Sequence, residues 1–234
     1  MKKIAAAFLS TALAFALVAC GGNSQAQGGG ASSATGQAAP SSGSAAHTAG
    51  QAAADANILI AYFSVPETDG TDTVAGASRV LDDGEVVGNT QYIAQLIQQA
   101  AGGELFRIET VQEYPGSHDP LLEFAYNERA EDARPALATQ IENLESYDVI
   151  FLGYPNWNSD LPMPLYTFLE NNDLSGKTII PFTTHGGSGF SRTISTIAEL
   201  QPGANVVEQG LSISRNSVTD AQSDVENWVA GLGF

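Results

Sequence analysis

The stretch "TIIPFTTHGGSGFS", residues 178–191, joins an apolar run of strand length to a loop with three glycines in four positions. Glycine loses more conformational freedom on folding than any other residue, so a plain turn seldom contains three of them. Glycine is favoured where the backbone itself must come close to another group. This stretch therefore predicts a buried strand that ends in a loop whose backbone approaches a ligand.

Four further segments have the length and composition of strands. Residues 57–64 and 147–155 are almost continuously apolar, residues 104–110 alternate, and residues 205–213 are the fourth; with the opening run, residues 177–184, they make a set of five. Continuously apolar strands are buried on both faces, which is typical of a parallel sheet.

Helical patterns alternate with these strands. Apolar positions in residues 89–103 lie on one stripe, and the pattern ends at two glycines. Residues 119–146 predict a helix in two pieces, broken near Pro135. Further helices are predicted at residues 162–172, 190–200 and 219–232. The alternation predicts an α/β fold: a doubly wound, five-stranded parallel sheet of order 2-1-3-4-5, with its ligand crevice at the carboxyl ends of strands 1, 3 and 4.

The amino terminus has the pattern of an export signal. Lys2 and Lys3 precede an apolar stretch, residues 4–18, that is too short for a good membrane span. The following Leu-Val-Ala-Cys resembles the bacterial lipobox, in which Cys20 is lipidated and becomes the mature amino terminus. Residues 1–20 are therefore predicted to be a lipoprotein signal peptide, and the protein to be lipid-anchored on the extracytoplasmic face of the cell membrane. The alternative is an ordinary signal peptide with an incidental cysteine.

Composition divides the rest of the chain. Residues 21–56 are rich in Gly, Ala and Ser, cannot bury a core, and are predicted to be a disordered tether to a domain at residues 57–234. That domain has no cysteine, which leaves neither disulfide nor thiolate chemistry. The net charge of −17 argues against a nucleic-acid partner. No metal site is predicted, because the acidic residues 67–72 lack a full calcium-ligand pattern.

Three segments are expected to converge at the crevice: "GNT" (residues 88–90) opening a helix, "GYPNWNSDLPMP" (153–164) and "THGGSGFS" (184–191). In this order and placement the set resembles the flavodoxin family and its flavodoxin-like relatives. The resemblance covers nearly all of residues 57–234. It implies that FMN is the cofactor, bound by Ser64, Gly88, Asn89, Thr90, Tyr154, Pro155, Asn156, Trp157, Thr184, His185, Gly186, Gly187, Ser188 and Gly189.

Elementary chemistry agrees with this site. Amides at a helix amino terminus and small hydroxyls can hold a phosphate without a basic side chain, although "GNT" could also be a simple helix cap. Tyr154 and Trp157 offer flat faces to an isoalloxazine ring, although Trp157 could be ordinary packing under a loop. His185 could donate to the flavin or its substrate, or could cap its own loop. The loop glycines let amides turn toward the polar edge of the flavin.

The chain departs from the family in two places. Residues 65–87 stand between the first strand and "GNT", and include a predicted β-hairpin turning at Asp83-Gly84. This insertion could close over the cofactor or be a surface excursion. In the ring loop, Ser159 replaces a glycine whose peptide turns on reduction in flavodoxins. Serine resists positive φ, so we expect weaker stabilisation of the one-electron-reduced flavin.

The leading functional hypothesis is an FMN-binding redox protein, tethered outside the cytoplasmic membrane, that exchanges electrons with a redox partner or reduces a small acceptor. The flavin would do the chemistry while the protein sets its position and potential. No acid–base dyad or nucleophile–histidine pair is apparent, so no catalytic side chain is predicted. The alternative is a non-enzymatic lipoprotein that binds another phosphorylated or aromatic ligand in the same crevice.

Overall fold

The computed structural model describes residues 56–68 and 78–234. The predicted signal peptide with Cys20, the tether up to residue 55, and residues 69–77 of the insertion lie outside the described residues. Within the described part of the chain, no helix is long and apolar enough to cross a membrane.

Strands and helices alternate along the described chain. In order they are β1 (Ile58–Phe63), β2 (Arg79–Asp82), β3 (Glu85–Gly88), α1 (Asn89–Ala101), β4 (Glu104–Ile108), α2 (His118–Ala130), a 3₁₀ turn (Leu144–Ser146), β5 (Val149–Pro155), α3 (Met163–Asn171), β6 (Thr178–His185), α4 (Thr193–Leu200), β7 (Asn205–Val206), β8 (Leu211–Ser214), a 3₁₀ segment (Arg215–Asp220) and α5 (Gln222–Leu232).

The main sheet is parallel and has the order β4-β1-β5-β6-β7, with β8 also paired to β6. This confirms the predicted doubly wound sheet of order 2-1-3-4-5. Alternate residues of β1 point to opposite faces of the sheet. One core cluster contains Ile58, Ile60 and Tyr62, and the other contains Leu59, Ala61 and Phe63. Helices α1 and α5 contribute to the first cluster, and α3 and α4 to the second. Burial on both faces explains the continuous apolar runs.

The fifth strand position is divided into β7 and β8. Residue 206 pairs with residue 179 of β6, and residue 211 pairs with residue 182. The segment between β7 and β8 is therefore two residues longer than the part of β6 beside it, and the strand pairing is interrupted there. An ideal Cβ on Gly210 would lie 2.3 Å from the carbonyl oxygen of Pro181, which shows that Pro181 faces this edge. Proline has no amide hydrogen to donate to the ladder. The continuous strand predicted at 205–213 is therefore wrong in its middle.

The second piece of the predicted 119–146 helix is also absent. Helix α2 ends at Ala130, and Leu137 instead bridges to Thr110 beyond the end of β4. The amide of Val111 donates to the carbonyl of Ala136 at 2.9 Å. Proline disfavours a helical conformation for the residue before it, and β4 is an edge strand with unpaired backbone groups. The segment after Pro135 satisfies those groups by extending alongside them.

The predicted hairpin in the insertion is present. Strands β2 and β3 are antiparallel, and the turn residues Asp83 and Gly84 have φ of 48° and 86°. Two positive φ values match a type I′ turn, which Asp-Gly favours. Val80 and Val87 are buried in the cluster beneath α1. The hairpin is therefore part of the packed domain.

Candidate functional site

A cleft of about 370 Å³ lies at the carboxyl edge of the sheet. Most of the predicted segments meet there, together with residues from the insertion, from α2 and from the end of β8. The lining residues are Glu67, Ser78, Asn89, His118, Leu121, Leu122, Pro155, Asn156, Trp157, Asn158, Ser159, Thr184, His185, Gly186, Gly187, Ser188 and Arg215. A larger cleft, about 700 Å³, surrounds Asn57, Tyr147 and Phe234 and contains none of the predicted site residues.

The loop after β6 accounts for two of its three glycines by backbone conformation. Gly187 and Gly189 have φ of 136° and 57°, a region that side chains disfavour. No heavy atom lies within 4 Å of an ideal Cβ on Gly187, so its backbone faces open space. Gly186 lacks a positive φ and lies over Arg215, with an ideal Cβ 3.6 Å from the guanidinium carbon. The loop thus presents bare backbone to the cleft.

His185 caps this loop. Its Nδ1 accepts a hydrogen bond from the amide of Gly187 at 2.9 Å. Partial burial lowers the pKa of His185 from its ordinary value, which favours the neutral ring. Because Nδ1 is an acceptor, the single proton of the neutral ring resides on Nε2. Capping therefore leaves one N–H donor on a side chain that lines the cleft.

Asn156, at the end of β5, fixes the same loop from below. Its Nδ2 donates to the carbonyl oxygen of Gly189 at 2.7 Å and to the hydroxyl of Ser191 at 3.3 Å. Only the NH2 group of the Asn156 side chain can donate to a carbonyl oxygen, so this contact determines which way the side-chain amide is turned. Its Oδ1 is buried and has no hydrogen-bond partner within residues 56–68 and 78–234.

Arg215 brings a positive charge to the cleft from the residue that follows β8. Its Nε is buried and likewise lacks a partner among the described residues. An unpaired buried polar group typically costs about 1–3 kcal/mol. One buried unpaired donor and one buried unpaired acceptor thus belong to two residues that line the cleft.

The residues predicted to hold a phosphate are gathered and buried. Ser64, Asn89 and Thr90 are 5%, 3% and 1% exposed, and Thr90 shares a hydroxyl–hydroxyl hydrogen bond of 2.8 Å with Thr184. An ideal Cβ on Gly88 would lie 2.0 Å from Oγ of Ser64, so only glycine fits there without movement. The amide of Asn89 donates to the carbonyl of Ser78 at 2.8 Å and is therefore already used.

The two predicted ring-stacking aromatics have different surroundings. Trp157 lines the cleft beside Pro155 and packs edge-on against Phe63, with ring centroids 5.5 Å apart. Tyr154 is fully buried, and its hydroxyl shares a hydrogen bond of 2.8 Å with Thr193. Burial holds the pKa of Tyr154 well above its ordinary value. The expectation that Tyr154 offers a face to the ligand is wrong, because its side chain lies in the core face of β5.

The ring loop is a tight turn. Trp157 and Asp160 exchange backbone hydrogen bonds of 3.2 and 2.9 Å, and the central residues Asn158 and Ser159 have φ of 52° and 63°. Arg129, at the end of α2, forms an ion pair of 3.4 Å with the buried Asp160. Ser159 already has a positive φ, so the strain that was expected only after the peptide turns is present in the conformation that the structure shows. Serine at position 159 therefore does not oppose a turned peptide more than it opposes the conformation that the loop already has.

The described ends of the insertion form one wall of the cleft. Glu67 and Ser78 line it, and the hydroxyl of Ser78 donates to the carbonyl of Val65 at 2.6 Å. Arg79 is 5% exposed and its Nη1 donates to the carbonyl of Glu67 at 2.9 Å. These parts are therefore structural components of the site. Whether the insertion closes over a cofactor stays a prediction.

Several cleft residues were missed by the sequence analysis. Arg215 could have been found, because a basic residue directly after a strand stands at the ligand edge of a parallel sheet. Glu67, Ser78 and His118 had no local signal. Ser64, Gly88, Thr90 and Gly189 lie adjacent to the lining rather than in it. Within the described residues, no group of three or more His, Cys, Asp or Glu side chains could hold a metal ion.

Comparisons with known proteins agree with the fold of this chain. The profile of a family described as Flavodoxin matches residues 84–232. The chain is similar to the structure of a candidate flavoprotein from Bacteroides eggerthii DSM 20697, at 26% identity and a TM-score of 0.56, over 77% of this chain and 99% of that chain. A candidate flavoprotein from Bacteroides uniformis ATCC 8492 is 28% identical, with a TM-score of 0.57, over 75% and 98% of the two chains.

A flavoprotein from Lactobacillus acidophilus NCFM, solved in complex with FMN, shares the fold at 19% identity and a TM-score of 0.50, over 72% of this chain and 99% of that chain. A search of curated proteins found no significant match.

Proposed function

Because the chain belongs to the flavodoxin family, we propose that it is an FMN-binding redox protein that exchanges electrons with a partner or with a small acceptor. FMN is the cofactor that this family and the donor set of the cleft imply. The observation that carries the proposal is the pair of buried, unpartnered atoms, Arg215 Nε and Asn156 Oδ1, on two residues of one cleft.

The chemistry of these atoms fits a flavin. The pyrimidine edge of an isoalloxazine presents an N–H donor beside carbonyl acceptors. Asn156 Oδ1 can accept from such a donor, while Arg215 Nε and the Nε2 of His185 can donate to such acceptors. Each contact would satisfy a group that otherwise remains unpaired, which is the source of both affinity and specificity in buried polar sites.

The protein's own residues would bind and orient the cofactor. FMN, when bound, supplies the ring that accepts and releases electrons. The hydroxyls of Ser64 and Thr90 and the first-turn amides of α1 that follow Asn89 are suited to the phosphate, since a helix amino terminus attracts anions. Trp157 forms an apolar wall for the ring, and the glycine loop with its neutral His185 offers donors without adding charge. Together they exclude water from one side of the site.

We also propose that the domain works outside the cytoplasmic membrane, held by lipid on Cys20. The support is the sequence of residues 1–20 and the tether-like composition that follows. A single acyl chain binds membranes weakly, so stable anchoring needs the several chains of a lipoprotein. The acidic charge of the chain suits a soluble redox domain that docks to basic partners.

The experiment is a flavin titration of the purified full-length protein. The wild type is expected to be yellow and to quench FMN fluorescence on binding. Arg215→Gln should weaken FMN binding by about ten- to a hundred-fold, because a hydrogen bond to a charged group contributes about 1.5–3 kcal/mol and 1.4 kcal/mol is a factor of ten. Arg192→Gln, at an exposed arginine outside the cleft, is the matched control. A wild type that binds no FMN would refute the proposal and favour another ligand.

A further inference from the structure

A buried carboxylate and a histidine meet on the insertion side of the cleft. Glu67 is only 2% exposed, and its Oε1 lies 2.7 Å from Nδ1 of His118. His118 is the first residue of α2, fifty-one positions away in the chain. Both residues line the cleft. The pair is therefore built by the fold at the site proposed for the flavin.

Holding two segments of the chain together is not a sufficient reason for the Glu67–His118 pair. The same two segments are already joined by a backbone hydrogen bond of 2.8 Å from the amide of Thr68 to the carbonyl of Gly116. They are packed so closely that an ideal Cβ on Gly116 would lie 2.4 Å from Oγ1 of Thr68. Burying a carboxylate is costly unless it is paired. Because other contacts already hold the two segments together, the buried Glu67 needs a different explanation.

The geometry determines which ring nitrogen of His118 can exchange a proton. A carboxylate bonded to Nδ1 makes that nitrogen the donor and fixes the ring orientation, as in carboxylate–histidine pairs generally. Nε2 makes no hydrogen bond to the described residues and is left for a bound molecule. In His185 the roles are reversed, since Nδ1 accepts from Gly187. The two cleft histidines therefore use Nδ1 in opposite ways, one as a donor and one as an acceptor.

An apolar surface adjoins the His118 ring. Leu121 and Leu122 follow His118 by three and four positions on α2, so they share its face of the helix, and both line the cleft. Leu122 is 42% exposed, which leaves much of its side chain uncovered. A proton-exchanging nitrogen beside an apolar surface matches a flat apolar ring that bears an oxygen to be protonated. A small quinone has this chemistry.

We propose that Glu67 and His118 are a proton-transfer pair for two-electron reduction of small quinones, an inference that rests on the FMN-binding function proposed above. Bound FMN, in its anionic reduced form produced by an external reductant, would supply the hydride to the quinone and would be left as oxidised FMN. In its doubly protonated form, with Nδ1–H held by Glu67, His118 gives the Nε2 proton to the quinone carbonyl oxygen, and the hydride and the proton together convert the quinone to the neutral hydroquinone. His118 regains a proton from water. Glu67 acts as a positioning residue that orients the ring.

The test compares two acceptors. Full-length protein loaded with FMN and reduced by dithionite is mixed anaerobically with 1,4-benzoquinone or with ferricyanide, which takes one electron and no proton. General acid catalysis contributes about a hundred-fold or more, so His118→Gln should lower the quinone-to-ferricyanide rate ratio by about a hundred-fold. The isosteric Glu67→Gln, which retains the packing, should lower the same ratio by about ten-fold through loss of ring orientation.

A second readout uses the FMN-free protein. Nitrogen-15 NMR of the His118 ring should show Nδ1 protonated in the wild type, and an unprotonated Nδ1 would overturn the pair. Matched controls are His47→Gln in the predicted tether and Glu123→Gln on the exposed face of α2, and both should keep the wild-type ratio. FMN affinity is measured for every variant. A wild type without FMN binding refutes the proposed function as well, whereas FMN-bound His118→Gln with the wild-type ratio refutes this inference alone.

Discussion

Replacing Gly88 with alanine tests the packing of the residues proposed to hold the phosphate. Gly88 has φ of −68° and ψ of 143°, which alanine adopts without strain, so the substitution changes only the space it fills. The new Cβ would lie 2.0 Å from Oγ of Ser64, 3.2 Å from its Cβ and 3.6 Å from Cδ of Pro66. Only the Ser64 hydroxyl is in severe conflict, and it must rotate away or push the backbone aside.

The expected loss of stability is moderate. Overpacking by one methyl typically costs about 1–3 kcal/mol, and the reduced freedom of the unfolded chain returns about 0.4–1 kcal/mol. Gly88→Ala should therefore lower the free energy of unfolding by about 1–2 kcal/mol. In a Ser64→Ala background the severe contact is gone, and the nearest remaining atom is 3.2 Å away. The same substitution should then be nearly neutral.

Urea unfolding of the four proteins in this cycle measures the coupling energy between the two positions. Gly231→Ala is the matched control, because nothing lies within 4 Å of its Cβ position in α5. That substitution should stabilise the protein by about 0.5–1 kcal/mol, as alanine does in a helix interior. FMN affinity should fall at least about ten-fold in Gly88→Ala if the displaced hydroxyl binds phosphate. Equal losses of stability in both Ser64 backgrounds would refute the packing argument.

Three further predictions follow from the site and the amino terminus. Ser159→Gly should raise the free energy of unfolding by about 0.5 kcal/mol, since serine at a φ of 63° is strained; a loss of stability would contradict this. Because the pKa of His185 is lowered, the unfolded chain binds a proton that the folded chain resists. Stability should therefore fall as pH drops below about 6.5, and His185→Gln should remove part of that dependence in unfolding measured at several pH values. Cys20→Ala should abolish lipid labelling and release the protein from the membrane fraction, whereas unchanged fractionation without a lipid label in either protein would disprove the anchor.

Local signals predicted the framework well. The strand order followed from continuous apolar runs and their alternation with helices, and the Asp83-Gly84 hairpin followed from turn chemistry within two residues. Predictions failed where a neighbour in space decided the outcome. The fifth strand divides opposite Pro181, and the segment after Pro135 pairs with the edge beyond β4. Neither partner is visible from the segment itself.

The candidate site shows the same division. The glycine loop, "GNT" and the Trp157 loop were found from sequence because each occupies one short stretch after a recognisable strand. Tyr154 was misjudged because an aromatic at a strand end can face either side, and only the packing of β5 places it in the core.

The sequence by itself determined the α/β class, the strand order and the edge of the sheet at which the cleft lies, because periodicity and turn chemistry act over a few consecutive residues. Only the tertiary structure decided which distant side chains complete that edge. Arg215 comes under the glycine loop because β8 pairs with β6, and Glu67 meets His118 because the insertion packs against the start of α2. Such pairs depend on the stacking of whole elements, which no local pattern specifies.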